Sequence, residues 1–205
     1  MALLQQLPFA NLLPLQASGH YGAVMHQLLK LHPESHCAAV TQIEVDVARG
    51  RPGRLQLNYF VIGVMANLRK PERGTPTRMD NLWRHTCFEA FVRPSQSAAY
   101  YEFNFAPSLH WAAYRFDTYR QGMRMAGEEW QPTLKFSARD PGCELQVSLD
   151  LSRFPGLGDD VPLQLNLAAV VEETSGRISY WAAAHPPGRA DFHHGKCFSV
   201  ELPAV

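Results

Sequence analysis

Two carboxylates and one amide stand where strand geometry would bring them together. In YYEFNF, residues 100–105, side chains alternate between two faces. Tyr101, Phe103 and Phe105 share one, and Tyr100, Glu102 and Asn104 the other. The preceding apolar run divides in the same way, into Phe88, Ala90 and Val92 against Cys87, Glu89 and Phe91. Pro107 and Ser108 are turn residues, so 99–106 is expected to fold back on 109–116 as a hairpin. That sets either Trp111, Ala113 and Arg115 or His110, Ala112 and Tyr114 beside Asn104. A carboxylate and an amide can pair with vicinal hydroxyls while a flat ring covers an apolar C–H face, so the chemistry suits a sugar. The plain alternative is a wet sheet face that carries Glu and Asn as a matter of course, with Trp and Tyr as core or cross-strand partners.

Other chemistries fit the same residues or their neighbours less well. Glu89 and Glu102 on adjacent strands could supply the carboxylate pair of a sugar-acting hydrolase or isomerase, with His185 or His193 as a proton carrier. The segment HPPGRADFHH, residues 185–194, offers His185, Asp191 and His193 to a Ca or Zn ion. Its prolines forbid the helical i, i+4 histidine pair, and adjacent His193 and His194 diverge if extended. Haem would need one of these histidines, or Met65, Met79, Met123 or Met125, as an axial ligand. Ser108 lacks a nucleophile elbow, and His85 with Cys87 lacks an orienting third group. No GxGxxG or P-loop follows a strand.

These residues need a β scaffold, and the rest of the chain supplies one. Strand-like runs fall at 37–48, 55–65, 86–93, 99–106, 109–116, 133–139, 143–151, 162–172, 178–184 and 196–202, with Gly and Pro punctuation between them. Gly63 is a candidate bulge or bend. Helical signal is thin. Residues 22–31 could make two turns or begin the first strand, and 118–127 could hold one turn. The expected architecture is an all-β antiparallel sandwich, jelly-roll or immunoglobulin-like, of about ten strands. One domain is expected over 1–205, with a core at about 30–202 and an N-terminal extension at 1–29.

Formal net charge is zero, so nothing steers the protein to nucleic acid or an anionic membrane. Arg69, Lys70, Arg73, Arg78 and Arg84 sit among Pro and Gly and read as a solvated loop. No apolar run approaches a membrane span. Met1–Leu15 is apolar but lacks a basic start, so a cytoplasmic location is expected. Cys37, Cys87, Cys143 and Cys197 show no CxxC spacing and are expected as free thiols; a Cys37–Cys197 bridge is the alternative for an exported chain.

The stretch LWRHTCFEAFVRP, followed by YYEFNFAPSLHW, resembles type 9 carbohydrate-binding modules and the related DOMON-like domains. LHPES at 31–35, SYWAAAHPPGRADFHH at 179–194 and CFSVEL at 197–202 resemble a bacterial DOMON-like branch, so the resemblance covers about residues 30–202. It implies a non-catalytic β-sandwich that binds a small ligand, with sugars or haem as the ligands of related members. In the type 9 modules a sugar sits between two tryptophans. Trp83 matches one of them, Glu89 the strand glutamate, and Glu102 and Asn104 the second strand. Trp181 is a candidate for the second tryptophan, and Trp111 a further lining residue. The modules' Asn-Pro becomes Asn104-Phe105-Ala106-Pro107 here.

Overall fold

A computed structural model describes residues 22–69, 74–127, 130–139 and 141–205. The apolar Met1–Leu15 stretch and the loop residues Lys70 and Arg73 lie outside the described residues. Among the described residues twelve strands form: β1 (Met25–Leu31), β2 (Val40–Gly50), β3 (Arg54–Gly63), β4 (Cys87–Pro94), β5 (Tyr100–Phe105) and β6 (Trp111–Phe116), then β7 (Arg124–Met125), β8 (Thr133–Arg139), β9 (Gly142–Asp150), β10 (Leu163–Glu172), β11 (Ile178–Ala182) and β12 (Val200–Leu202). The described helices are single 3-10 turns, at 65–67, 82–84, 151–153 and 195–197.

The strand order is β7-β6-β5-β4-β10-β11-β1-β2-β3-β9-β8, with β12 paired to β10. Every strand pairing is antiparallel. The strand ladder crosses between the two halves at Lys30–Ala182 and Leu31–Trp181, and an isolated bridge joins Leu68 to Glu173. At that narrow seam the sheet curls, so that β1, β2, β3, β9 and β8 pack over the other half. Tyr59 of β3 meets Phe88 of β4 with ring centroids 5.1 Å apart, and its hydroxyl donates to the Glu89 carbonyl at 2.9 Å. Between the halves lies one apolar core that includes Ile43, Leu57, Tyr59, Phe88, Phe103 and Leu165. Their strands are rich in β-branched and aromatic residues at every second position, which is what a pleated, buried face selects.

The possible helix at 22–31 is instead β1. Its residues pair with β2 from Met25–Val47 to Leu29–Ile43, and Leu29 enters the core. Tertiary pairing overrides the local preference of a short apolar segment. The turn considered at 118–127 is not helical either. Asp117 N donates to Gln121 O at 3.0 Å, and Arg120 and Gly122 take φ of 54° and 68°, a left-handed geometry no α-turn can contain. Gly63 does mark an irregularity, because the β2–β3 register slips between Val40 and Gln42 opposite it. A Cβ at Gly63 would lie 2.1 Å from the Ala39 carbonyl oxygen.

The outer face of the β6-β5-β4-β10 half is covered as well. A second apolar cluster forms there from Phe91, Tyr100, Tyr114 and Phe116, roofed by Phe192 and Phe198 of the 185–199 segment and by Leu82. Consequently β5 is buried on both faces along its whole length. Cys37, Cys87, Cys143 and Cys197 are free thiols.

Candidate functional site

The register places Glu89 opposite Asn104, and Phe91 opposite Glu102. Glu89, Glu102 and Asn104 therefore meet on the outer face, at 3%, 5% and 0% exposure. Asn104 Nδ2 donates to Glu102 Oε1 at 2.7 Å, and the Cys87 thiol approaches Asn104 Oδ1 at 3.8 Å. Asn166 of β10 lies on the same face and donates to the Phe192 carbonyl at 2.9 Å. Among the described residues, Glu89 Oε1 and Asn166 Oδ1 are buried with no hydrogen-bond partner.

Burial dominates the electrostatics of this cluster. It raises the Glu89 carboxyl well above the ordinary range, and the charge of Glu102 raises it further against the pull of Arg120. Glu102 is pushed up to about 7 by burial, opposed by the Asn104 hydrogen bond and by Arg120. Burial and Arg120 bring His193 down to about 4, so its ring is neutral near pH 7. Tyr100 Oη accepts from Arg120 N at 3.2 Å, which leaves its own proton for His193 Nδ1 at 2.8 Å. His193 Nε2 then carries a proton toward Glu102 Oε2, 3.7 Å away, which is too long for a hydrogen bond.

The 191–194 loop closes over the cluster and is tied to the 117–122 turn. Asp191 accepts from Tyr119 Oη at 2.6 Å, Arg120 Nη2 at 2.8 Å and His193 N at 3.2 Å. Phe116 stacks on Tyr100 at 4.8 Å, and His193 meets Phe91 edge-on at 5.0 Å. A ligand could touch Glu89 or Glu102 only if this cover moved.

Open concave surface lies where β4 begins and β10 ends. A cavity of about 530 Å³ is floored by Leu82 and Ala106, both members of the outer apolar cluster. Its polar walls are Asp80, Asn81, Arg84, His85, Ser108 and Glu172. Segment 77–79 is pinned to β6 by Trp111 N to Thr77 O at 3.1 Å and Met79 N to Trp111 O at 2.9 Å. Asn81, at φ 63°, then turns the chain into the 82–84 turn that feeds β4. Asn is among the few residues that accept this geometry readily. Trp83 stands between two wall residues, Leu82 and Arg84, and is 46% exposed. The Arg84 guanidinium lies 5.3 Å from the Trp83 ring centroid.

The polar walls are held before any ligand arrives. Glu172 accepts from Arg69 Nη1 and pairs with His85 Nδ1, both at 2.7 Å. Burial pushes its carboxyl up, but these two partners outweigh it and hold it below the usual carboxylate range. Asp80 accepts from Tyr114 Oη at 2.6 Å and Arg78 Nη1 at 2.9 Å, and its carboxyl is lowered chiefly by the Tyr114 bond. Ser108 Oγ and His110 Nδ1 are 2.9 Å apart.

The structure thus divides the sequence candidates. Glu89, Glu102 and Asn104 are brought together and sealed, and Trp83 is exposed in the turn whose other residues, Leu82 and Arg84, line the open groove. Trp111 and Trp181 project into the inner core, each 4% exposed, on the other side of the sheet from Glu102. Trp111 meets Trp130 at 5.3 Å, and Trp181 Nε1 donates to Ser179 Oγ at 3.1 Å. His185 bonds the Lys30 carbonyl at 2.8 Å and abuts His32, apart from the Asp191 and His193 contacts. Among the described residues, no group of three or more His, Cys, Asp and Glu is arranged to hold a metal. Met79 lines the groove, while Met123 and Met125 are exposed on the β7 side. Sequence reasoning missed Asp80, Asn81 and Glu172. The polar run MDNLWRHT before β4 was the visible signal for the first two; Glu172 arrives only through β10 pairing.

No family model matches the chain, and no curated protein matches its sequence. Solved structures do share the fold. A candidate carbohydrate-binding protein from Bacteroides uniformis superposes with a TM-score of 0.63 at 18% identity, covering 85% of this chain and 84% of that one. A family 9 carbohydrate-binding module from Caldicellulosiruptor kristjanssonii, in complex with cellotriose, gives 0.50 at 14% identity, covering 80% and 75%. The curled antiparallel sandwich is therefore an architecture this chain has in common with type 9 modules.

Proposed function

We propose that the protein is a non-catalytic binding domain, and that it takes a carbohydrate or similar neutral polyol in the groove beside Trp83. The observation that carries this reading is a cavity with hydrogen-bonding groups already fixed, lined by Leu82 and Arg84 on either side of the exposed Trp83 in the chain. The groove holds Arg69 and Arg84 against Asp80 and Glu172, and both carboxylates are partnered. Glu172 is satisfied by Arg69 and Asp80 by Arg78, and the groove keeps donors and acceptors for hydroxyls. Trp83 offers the apolar platform that the C–H face of a pyranose needs. The fold shared with a module in complex with cellotriose agrees with this assignment. The DOMON-like resemblance adds the same broad class, a small ligand on a β-sandwich.

Trp83 supplies its own test. The chain has four tryptophans, and Trp111, Trp130 and Trp181 are 4%, 9% and 4% exposed. A bound sugar should shield the Trp83 fluorescence from acrylamide. At 100 times its dissociation constant it should add about 2.7 kcal/mol, a rise in Tm of roughly 5–10 °C. Trp83→Ala should abolish both responses; sugar-induced stabilisation that survives it would sink this site. The raised carboxyls of Glu89 and Glu102 favour a second reading, a sugar-acting hydrolase that opens the 191–194 loop. Turnover of a chromogenic glycoside, lost in Glu102→Gln, would establish that instead.

A further inference from the structure

A second cavity, of about 310 Å³, adjoins the groove. It lies between the two halves of the sandwich. Val61, Ala138 and Cys143 line it from one half, Phe88 and Val171 from the other, with Leu68 at the 3-10 turn after β3. The Cys143 thiol is pushed up to about 12 by burial, so it is protonated and behaves as a small apolar group. This slot and the polar groove share two wall residues, Arg69 and Thr86.

Both shared residues are hydrogen-bonded to Glu172. Arg69 N donates to Glu172 O at 3.0 Å, and Glu172 N donates to Thr86 Oγ1 at 3.1 Å. Arg69 Nη1 reaches Glu172 Oε1 in the groove. An arginine at such a boundary can offer its methylene stem to the apolar side and its guanidinium to the polar side. A polar groove and an apolar slot with a common wall match an amphipathic molecule better than a free sugar.

We propose that the ligand is a glycoside with an apolar aglycone, its sugar in the groove beside Trp83 and its alkyl or aryl group in the slot between the sheet halves. This rests on the sugar reading of the groove and adds the class of the attached group. Both cavities are needed, and neither alone predicts the chain-length effect that follows.

The test pairs methyl and octyl pyranosides with the same head group, across the gluco, galacto and manno forms, below the micelle threshold. Shielding of Trp83 reports binding. Burying two methylenes or more should make the octyl ligand at least about tenfold tighter than its methyl partner. Ala138→Phe fills the slot from the edge strand β8, where Ala138 is exposed, so the core packing is left in place. It should erase the octyl advantage and leave methyl pyranoside affinity unchanged. Equal affinities of methyl and octyl forms in the wild type would overturn the slot assignment while the sugar reading stands. An octyl advantage that persists in Ala138→Phe would place the chain elsewhere and overturn it too. Binding of 1-octanol as tight as the octyl pyranoside would separate slot from groove and defeat the proposal. If no pyranoside of either kind shields Trp83, both readings fall together.

Discussion

Glu102 shows how little a residue's type says about its role until its surroundings are known. Its carboxyl holds a proton up to about 7, whereas an ordinary one releases it near 4.5. Its contribution to stability is therefore full below pH 4.5 and is lost as pH rises through 7. His193 acts in the opposite sense, since its imidazole stays neutral down to about 4 and favours folding less as pH drops from 6.5. Glu89 and Arg120 face the same cluster, so the clean measurement is a comparison of variants. Glu102→Gln keeps an acceptor for Asn104 Nδ2 and removes the buried charge. It should be more stable than wild type at pH 8 by on the order of 2 kcal/mol and nearly equal at pH 4.5, read from urea midpoints. An unchanged difference across that range would mean Glu102 does not titrate in the fold. The alternation that groups Glu102 with Asn104 is visible in YYEFNF; the cover that shifts its carboxyl is not, because it comes from residues 191–194.

At the scale of elements, the groove depends on connections rather than on strands. Arg49, next to the last residue of β2, is 3% exposed and donates to three carbonyls, of Val161, Pro203 and Gly158, at 2.7–2.8 Å. Burial lowers the guanidinium, and Asp159 and Asp160 counter it. This clamp joins the β2–β3 hairpin to the β9–β10 connection and to the C-terminal residues. Arg49→Met keeps the stem but strands those carbonyls, so it should cost about 2–4 kcal/mol in thermal or urea unfolding. Because the clamp lies at the Gly50 end of β2 and the groove at the His85 end of β4, pyranoside affinity at 25 °C should be unchanged. Strand existence was legible from apolar alternation and turn residues. The partner of each strand was not, and β1 shows why: its alternating residues settle as a strand only when β2 and β11 supply the hydrogen bonds.

The whole molecule has two apolar layers of unequal weight. The inner core spans both sheet halves; the outer cluster is one sheet face under loops. Phe103 is fully buried in the first, and Phe192 roofs the second at 8% exposure. Phe103→Ala should cost about 3–5 kcal/mol, as large core truncations do. Phe192→Ala should cost less, and by admitting water it should return the Glu102 carboxyl toward 4.5 and flatten the fall in stability between pH 5 and 8. A pH profile of Phe192→Ala parallel to wild type would show that the roof does not set the carboxyl's environment.

From the sequence alone, period-two patterning established the all-β class, the inward set Tyr101, Phe103 and Phe105, and the grouping of Glu102 with Asn104, because side-chain alternation is a local property of extended backbone. It could not decide which faces meet water. Trp83, Trp111 and Trp181 are one residue type, yet one is exposed and two are packed in the core. That difference arises from the curl of the sheet about the β1–β11 seam and from a roof contributed about a hundred residues after Glu89. Burial, the shifted carboxyls, and the juncture of polar groove and apolar slot at Arg69 and Thr86 are products of those long-range contacts, so only the tertiary structure decided them.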